Sequence, residues 1–383
     1  MQKKEFNVDT KVVHGNKSYE EKTGAISFPI YQSATFRHPN FNESTGYDYS
    51  RQQNPTREEV ERVVANLEQG TRGFGFSSGM AAITTVLTFF RPKDHIIVSE
   101  DLYGGTYRIF EEVFKSYGLE FTYVDTSNID SVKEVIQENT VAIYIETPSN
   151  PMMRVTDIRE ISNIAQEINA LLIVDNTFLT PYYQRPLQLG GDIVVHSGTK
   201  YLGGHNDTLA GFLVVKDEKL AAQIELLQMT SGAVLSPFDS WLIIRGIKTL
   251  GVRLEKQQEN ALQIAKWLEK HKNIEKVYYI GLEDHIGYKV NAKQSSGFGG
   301  MISFTVKDPS MVESILRNIK LIMYAESLGG VETLITYPLK QTHAAIPEEI
   351  RNKLGVSDRL IRLSVGIENV SDLIEDLEQA LNV

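Results

Sequence analysis

Residues 193–204 read Ile-Val-Val-His-Ser-Gly-Thr-Lys-Tyr-Leu-Gly-Gly. Ile193–Val195 predicts a buried strand, which puts Lys200 just past a strand end, among hydroxyls and glycines. A lysine there is costly to desolvate unless it is chemically used, because desolvation lowers its pKa and makes the amine a nucleophile able to form a Schiff base. Upstream, Leu171–Asp175 predicts another strand, ending on the carboxylate of Asp175. Further apolar, β-branched runs follow the same spacing: His95–Val98, Phe121–Asp125, Val141–Glu146, Asp192–His196 and Phe212–Val215. Amphipathic stretches such as Gly79–Phe90, Thr106–Tyr117 and Ile158–Ile168 lie between them. That alternation predicts an α/β fold with a mostly parallel sheet and helices on both faces. Ligands bind such sheets at the carboxyl ends of the strands, where Glu146, Asp175 and the segment after Val195 fall.

Outward from this core, residues 1–55 are rich in Pro, Ser, Asn and aromatics with little periodicity, and read as an extended arm. A helical pattern begins at Arg57 and stops at Gly70. The central unit spans 56–245. A long helical pattern over Phe238–Lys272 leads into a smaller C-terminal α+β unit, 246–383. Its strands are expected near Met301–Val306, Leu321–Tyr324, Leu334–Thr336 and Leu360–Val365, and its helices near Met311–Ile319 and Ser371–Leu381.

The 383 residues suffice for two domains with a large core. A formal net charge of −10 argues against nucleic acid as a partner. The absence of cysteine excludes disulfides, thiolate metal sites and a cysteine nucleophile. The histidines show no i, i+4 pair, so no metal site is expected. No run approaches the ~20 apolar residues of a membrane helix, and Met1–Asn7 lacks the apolar core of a signal peptide. The expectation is a soluble cytoplasmic protein.

Gly75-Phe-Ser-Ser-Gly79 matches the G-x-S-x-G pattern of a hydrolase nucleophile elbow, which would make Ser77 the nucleophile. The competing reading is a turn opening the helix from Met80, whose free N–H groups bind a phosphate. Ser197-Gly-Thr-Lys200 matches S-x-x-K, but the K-T-G that should follow it lies upstream, at Lys22–Gly24. Arg51, beside Tyr49, is either a surface arginine or a phosphate clamp. Tyr103 either stacks on an aromatic ligand or fills the core. Arg362, inside an apolar run, needs an anionic partner, from a substrate carboxylate or from a structural acid. Taken together, the lysine, the hydroxyls of Ser197 and Thr199 and the strand-end Asp175 form the protein's share of pyridoxal phosphate (PLP) chemistry.

The chain resembles the Cys/Met-metabolism family of PLP enzymes, from Thr23-Gly-Ala25 to Ser364–Glu368. The resemblance rests on Asp48-Tyr-Ser-Arg51 with Asn54-Pro-Thr56, Ser77–Met80, Glu146-Thr-Pro-Ser-Asn-Pro151, Val174-Asp-Asn-Thr177, Ser197–Tyr201 and Ala325-Glu-Ser-Leu-Gly-Gly330. It implies PLP fold type I (aminotransferase-like) and a homotetramer built from tight dimers. It further implies that Lys200 anchors PLP and acts as the base, while Asp175 keeps the pyridine nitrogen protonated. Tyr103 would stack on the ring. Gly79, Met80, Thr177, Ser197 and Thr199 would hold the cofactor, and Tyr49 and Arg51 would reach the phosphate of the neighbouring subunit. Asn150, Ser327 and Arg362 would hold the amino-acid substrate's α-carboxylate, supported by Thr342, with Asp48 and Glu326 also facing substrate.

Within that family Glu326 matches the acidic residue of γ-synthases and γ-lyases. Gly105 replaces the cysteine of methionine γ-lyases, and Asp48 before Tyr-Ser-Arg resembles γ-synthases, as do His205-Asn-Asp207 and Ser236–Ser240. The resemblance therefore implies cystathionine γ-synthase chemistry, with an O-acyl-L-homoserine and cysteine as substrates. Cystathionine γ- or β-lyase and O-acetylhomoserine sulfhydrylase are the alternatives. Met229-Thr-Ser231 and Lys340 depart from the family pattern near the expected entrance, where acyl group and thiol are chosen.

Overall fold

The computed structural model describes residues 6–15, 20–344 and 346–382. Its larger sheet contains β1 (Arg72–Phe76), β2 (His95–Ser99), β3 (Glu120–Val124), β4 (Thr140–Glu146), β5 (Leu171–Asp175), β6 (Ile193–Ser197) and β7 (Gly211–Val215). Their spatial order is β1-β7-β6-β5-β4-β2-β3. The pairs from β3 to β6 are parallel, while β7 runs antiparallel to both β6 and β1. The central strands are buried on both faces by helices, as their continuous apolar runs require. The second sheet comprises β8 (Ile274–Tyr278), β9 (Met301–Val306), β10 (Met323–Tyr324), β11 (Leu334–Thr336) and β12 (Leu360–Ser364), in the order β10-β11-β12-β9-β8.

β1 and β8 are the strands that sequence reading passes over. β1 reads Arg-Gly-Phe-Gly-Phe, and its alternate glycines remove the β-branched signal. β8 reads Ile-Glu-Lys-Val-Tyr and is half exposed at the sheet edge. The arm also contains a helix that its composition hides, α1 (Val8–His14), whose Val12 reaches the core. α2 (Pro55–Glu68) starts with Pro at its first position and the Asn54 side chain accepting the N–H groups of Thr56 and Arg57. The single helix expected over 238–272 is two, Pro237–Ile247 and Leu250–Leu268.

α3 (Gly79–Leu87) follows β1 directly, capped by Ser78, whose hydroxyl accepts the N–H of Ala81. It packs across the ends of β6 and β7, so its N-terminus faces the segment after β6. That segment is tied down from behind: buried Arg253 donates to the Tyr201 carbonyl at 2.9 Å, and the Val331 N–H bonds the Gly204 carbonyl at 3.0 Å. No helix among the described residues is long and apolar enough to cross a membrane.

Candidate active site

The carboxyl ends of β4, β5 and β6, the N-terminus of α3 and the 325–328 and 342–343 turns enclose a cavity of about 330 Å³. Gly79, Met80, Tyr103, Asn150, Asp175, Thr177, Ser197, Thr199, Lys200, Glu326, Ser327, Thr342 and Arg362 all line it. Residues from eight separate stretches of sequence thus meet around one space. Asp48, Tyr49 and Arg51 do not. The Arg51 guanidinium bonds the Met229 carbonyl and lies over the Tyr49 ring, and Asp48 pairs with His38 at 3.0 Å. Ser77 is exposed outside the cavity, and no base is hydrogen-bonded to its hydroxyl among the described residues, so nothing there makes it a nucleophile.

Lys200 Nζ donates to Ser327 Oγ at 2.9 Å. Burial, reinforced by the Arg362 charge and partly offset by Glu326, lowers its pKa to about 8. Ser327 is held at a φ of +85°, in the left-handed region that non-glycine residues rarely occupy. Strain of this kind concentrates at functional sites. Thr177 joins two elements: its N–H donates to Asp175 Oδ1 and its hydroxyl accepts the Ser197 N–H at 2.9 Å. The Thr199 hydroxyl pairs with Ala210, donating to its carbonyl at 3.2 Å and accepting its N–H at 3.0 Å, and a turn of this rotor would offer the proton to an anion.

Asp175 sits in register with Glu146, and burial raises the pKa of both carboxyls. Glu146 is raised well above its ordinary value and accepts the Tyr103 N–H at 3.0 Å. The sequence marks Glu146 by its strand-end position but gives it no role; the structure shows it holding the ring-bearing Tyr103 turn. Asp175 has no ion-pair partner among the described residues. A buried carboxylate without a cation suits a protonated ring nitrogen.

At the other end, the first-turn N–H groups of Gly79 and Met80 have no i−4 carbonyl within α3 and suit an anion. A Cβ at Gly79 would lie 3.0 Å from that of Ser197, which is how closely helix and strand end approach to form this corner. Amine, anion corner and unpaired carboxylate fit PLP in one orientation.

Arg362, 1% exposed on β12, has no ion pair among the described residues. It donates to Asn150 Oδ1 at 2.9 Å, the Ser327 carbonyl at 2.8 Å and Thr336 Oγ1 at 3.1 Å, while its Nε is unpartnered. Burial lowers its pKa to about 10, which leaves it charged at neutral pH. A structural acid partner is thus not what balances it, and a ligand carboxylate fits.

A Cβ at Gly105 would come within 2.4 Å of the Tyr103 ring. The ring is partly exposed and can yield, so Gly105→Ala should displace Tyr103 with little loss of stability. We expect kcat to fall about tenfold while the thermal midpoint moves by no more than a few degrees. An unchanged kcat would show that Tyr103 has no positioning role.

The fold and this cavity define a PLP-dependent enzyme. The chain belongs to the Cys/Met metabolism PLP-dependent enzyme family, whose description matches residues 9–382. It is 53% identical over 376 residues (98% of this chain, 96% of the relative) to the cystathionine gamma-synthase/O-acetylhomoserine (thiol)-lyase of Bacillus subtilis. It is 50% identical over 375 residues (98% and 99%) to a cystathionine beta-lyase of Lactococcus lactis. The crystal structure of cystathionine gamma-lyase from Lactobacillus plantarum, complexed with L-serine, superimposes with a TM-score of 0.95 at 44% identity, covering 98% of this chain and 99% of that one. Synthase and lyase relatives thus stand at similar distances.

Proposed function

We propose that the chain is a cystathionine γ-synthase, joining an O-acyl-L-homoserine to L-cysteine by γ-replacement. The observation that carries this reading is Glu326. It is exposed at the cavity wall, yet close enough to Lys200 and Arg362 to offset part of the lowering that burial imposes on the pKa of both. A carboxylate at that position suits the ammonium of a second amino acid arriving beside the one held by Arg362.

Lys200, Asp175, Tyr103, Gly79, Met80, Thr177, Ser197 and Thr199 would hold PLP. When bound, PLP supplies an electron sink for negative charge developing on the substrate carbons. Arg362 and Asn150 fix the carboxylate of the substrate and so present its Cα–H to Lys200. The Lys200 amine, once free, takes that proton at Nζ and can return it to a neighbouring carbon or to the leaving group. Ser327 Oγ, bonded to Nζ, holds the amine between those positions. Tyr49, Arg51 and Asp48, remote from the cavity of their own chain, would serve that of a neighbouring copy. This fits an arm over 1–55 that crosses between subunits of a cytoplasmic homotetramer, with the central unit 56–245 and the C-terminal unit 246–383 framing each site.

Because the Lys200 pKa is lowered to about 8, the neutral amine makes up about a tenth of the population at pH 7 and more than half above pH 8. The apoprotein should therefore take up PLP faster as pH rises from 6.5 to 8.5, followed by absorbance in stopped flow. A rate that does not rise over that interval contradicts the depressed pKa.

The reading is tested by incubating the enzyme with O-acetyl- and O-succinyl-homoserine, with and without cysteine, and with cystathionine alone. Products are followed by mass spectrometry. Cystathionine formed faster than 2-oxobutanoate supports γ-replacement. Rapid cystathionine cleavage without synthesis overturns it in favour of a lyase.

A further inference from the structure

His343 is fully buried beside the cavity, and its ring links two residues of the substrate end. Nε2 lies 3.1 Å from the Asn150 carbonyl oxygen, and Nδ1 lies 2.8 Å from Thr342 Oγ1. A carbonyl can only accept, so Nε2 carries the proton. The groups that influence His343 electrostatically are the cations Arg362 and Arg351; the Asn150 and Leu102 carbonyls favour the charged form but do not offset burial. Its pKa is accordingly pushed down to about 4, mainly by burial, and the ring is neutral at working pH.

A neutral imidazole carries one N–H. With that at Nε2, Nδ1 is bare, and the Thr342 hydroxyl must donate to it. A threonine hydroxyl has one proton, so nothing is left with which Thr342 could donate to a ligand. Thr342 nevertheless lines the cavity with Arg362 and Asn150. The turn is held in place by the His343 N–H on the Pro338 carbonyl and by the close approach of the Thr342 carbonyl to Gly104, where a Cβ would lie 2.0 Å away.

We propose that His343 is a positioning residue that takes the Thr342 hydroxyl proton, so that Thr342 presents an acceptor to an N–H group of the bound amino acid and not a donor to its carboxylate. The carboxylate is left to Arg362, and Thr342 distinguishes an amino acid from a simple carboxylic acid. This rests on the amino-acid reading of the site but not on which reaction follows.

The test is calorimetric binding of glycine and of acetate, its counterpart without the amino group, to the holoenzyme. Thr342→Val should weaken glycine about tenfold and leave acetate within about twofold, the size of one hydrogen bond to a charged group. His343→Asn keeps an acceptor at the Nδ1 position, whereas His343→Gln keeps only a donor towards Asn150. Asn should therefore retain more glycine affinity than Gln. Retained cofactor absorbance identifies variants that fold, and Thr342→Val alone carries the test if both His343 variants fail to fold. Acetate weakening in step with glycine in Thr342→Val, or a Gln variant binding glycine as well as the Asn variant, overturns the inference. Failure of the function reading looks different: normal discrimination of glycine from acetate, but no turnover of any homoserine ester or of cystathionine.

Discussion

Lys200→Ala should lower kcat by about four orders of magnitude, the upper range for removing a general base, and should lose the covalent hold on PLP as well. Both effects come from one atom, because Nζ is the only lysine amine lining the cavity among the described residues. Stability should change little or improve. The buried amine is a depressed-pKa cation, and its removal takes a desolvated charge out of the apoprotein. The sign can be checked by pH. A lysine whose folded pKa falls to about 8 binds fewer protons in the folded state between there and its ordinary value. Its penalty on stability is therefore full below pH 8 and is relieved as pH rises above it. Wild-type apoprotein should gain stability relative to Lys200→Ala as pH goes from 7 to 10. Single-turnover kinetics and denaturant melts measure the two parts separately.

Arg362→Leu should reduce kcat/KM by about 100-fold or more, the effect of removing a buried, charge-assisted carboxylate contact. The loss should appear first in KM, since the carboxylate is held alike before and during reaction. Arg362→Lys should rescue little. One ammonium cannot serve Asn150, the Ser327 carbonyl, Thr336 and a substrate carboxylate together, which the planar guanidinium fork does. A KM unchanged in Arg362→Leu would remove Arg362 from substrate binding.

What the sequence disclosed and what it hid follow from the range of each interaction. The parallel strands were legible because burial on both faces leaves continuous β-branched runs, as in His95–Ser99 and Leu171–Asp175. β1 was not, because close packing demands glycine: a Cβ at Gly73 would meet the Glu61 carbonyl at 2.4 Å. The residues gathered at the cavity could be nominated one by one from strand ends and motifs. Their pairing could not. That Glu146 holds Tyr103 and that the Asn150 carbonyl fixes the proton of the His343 ring are contacts across large sequence separations, with no local pattern to announce them. The positions of Tyr49 and Arg51 illustrate the converse, since their motif is clear while neither lines the cavity of its own chain.

Lys200 should be the residue that joins the cofactor. Reduction of the holoenzyme with borohydride, followed by peptide mapping, should place one pyridoxyl group on the peptide that contains Lys200. A label on any other lysine, or none in a preparation that carries PLP, would contradict it.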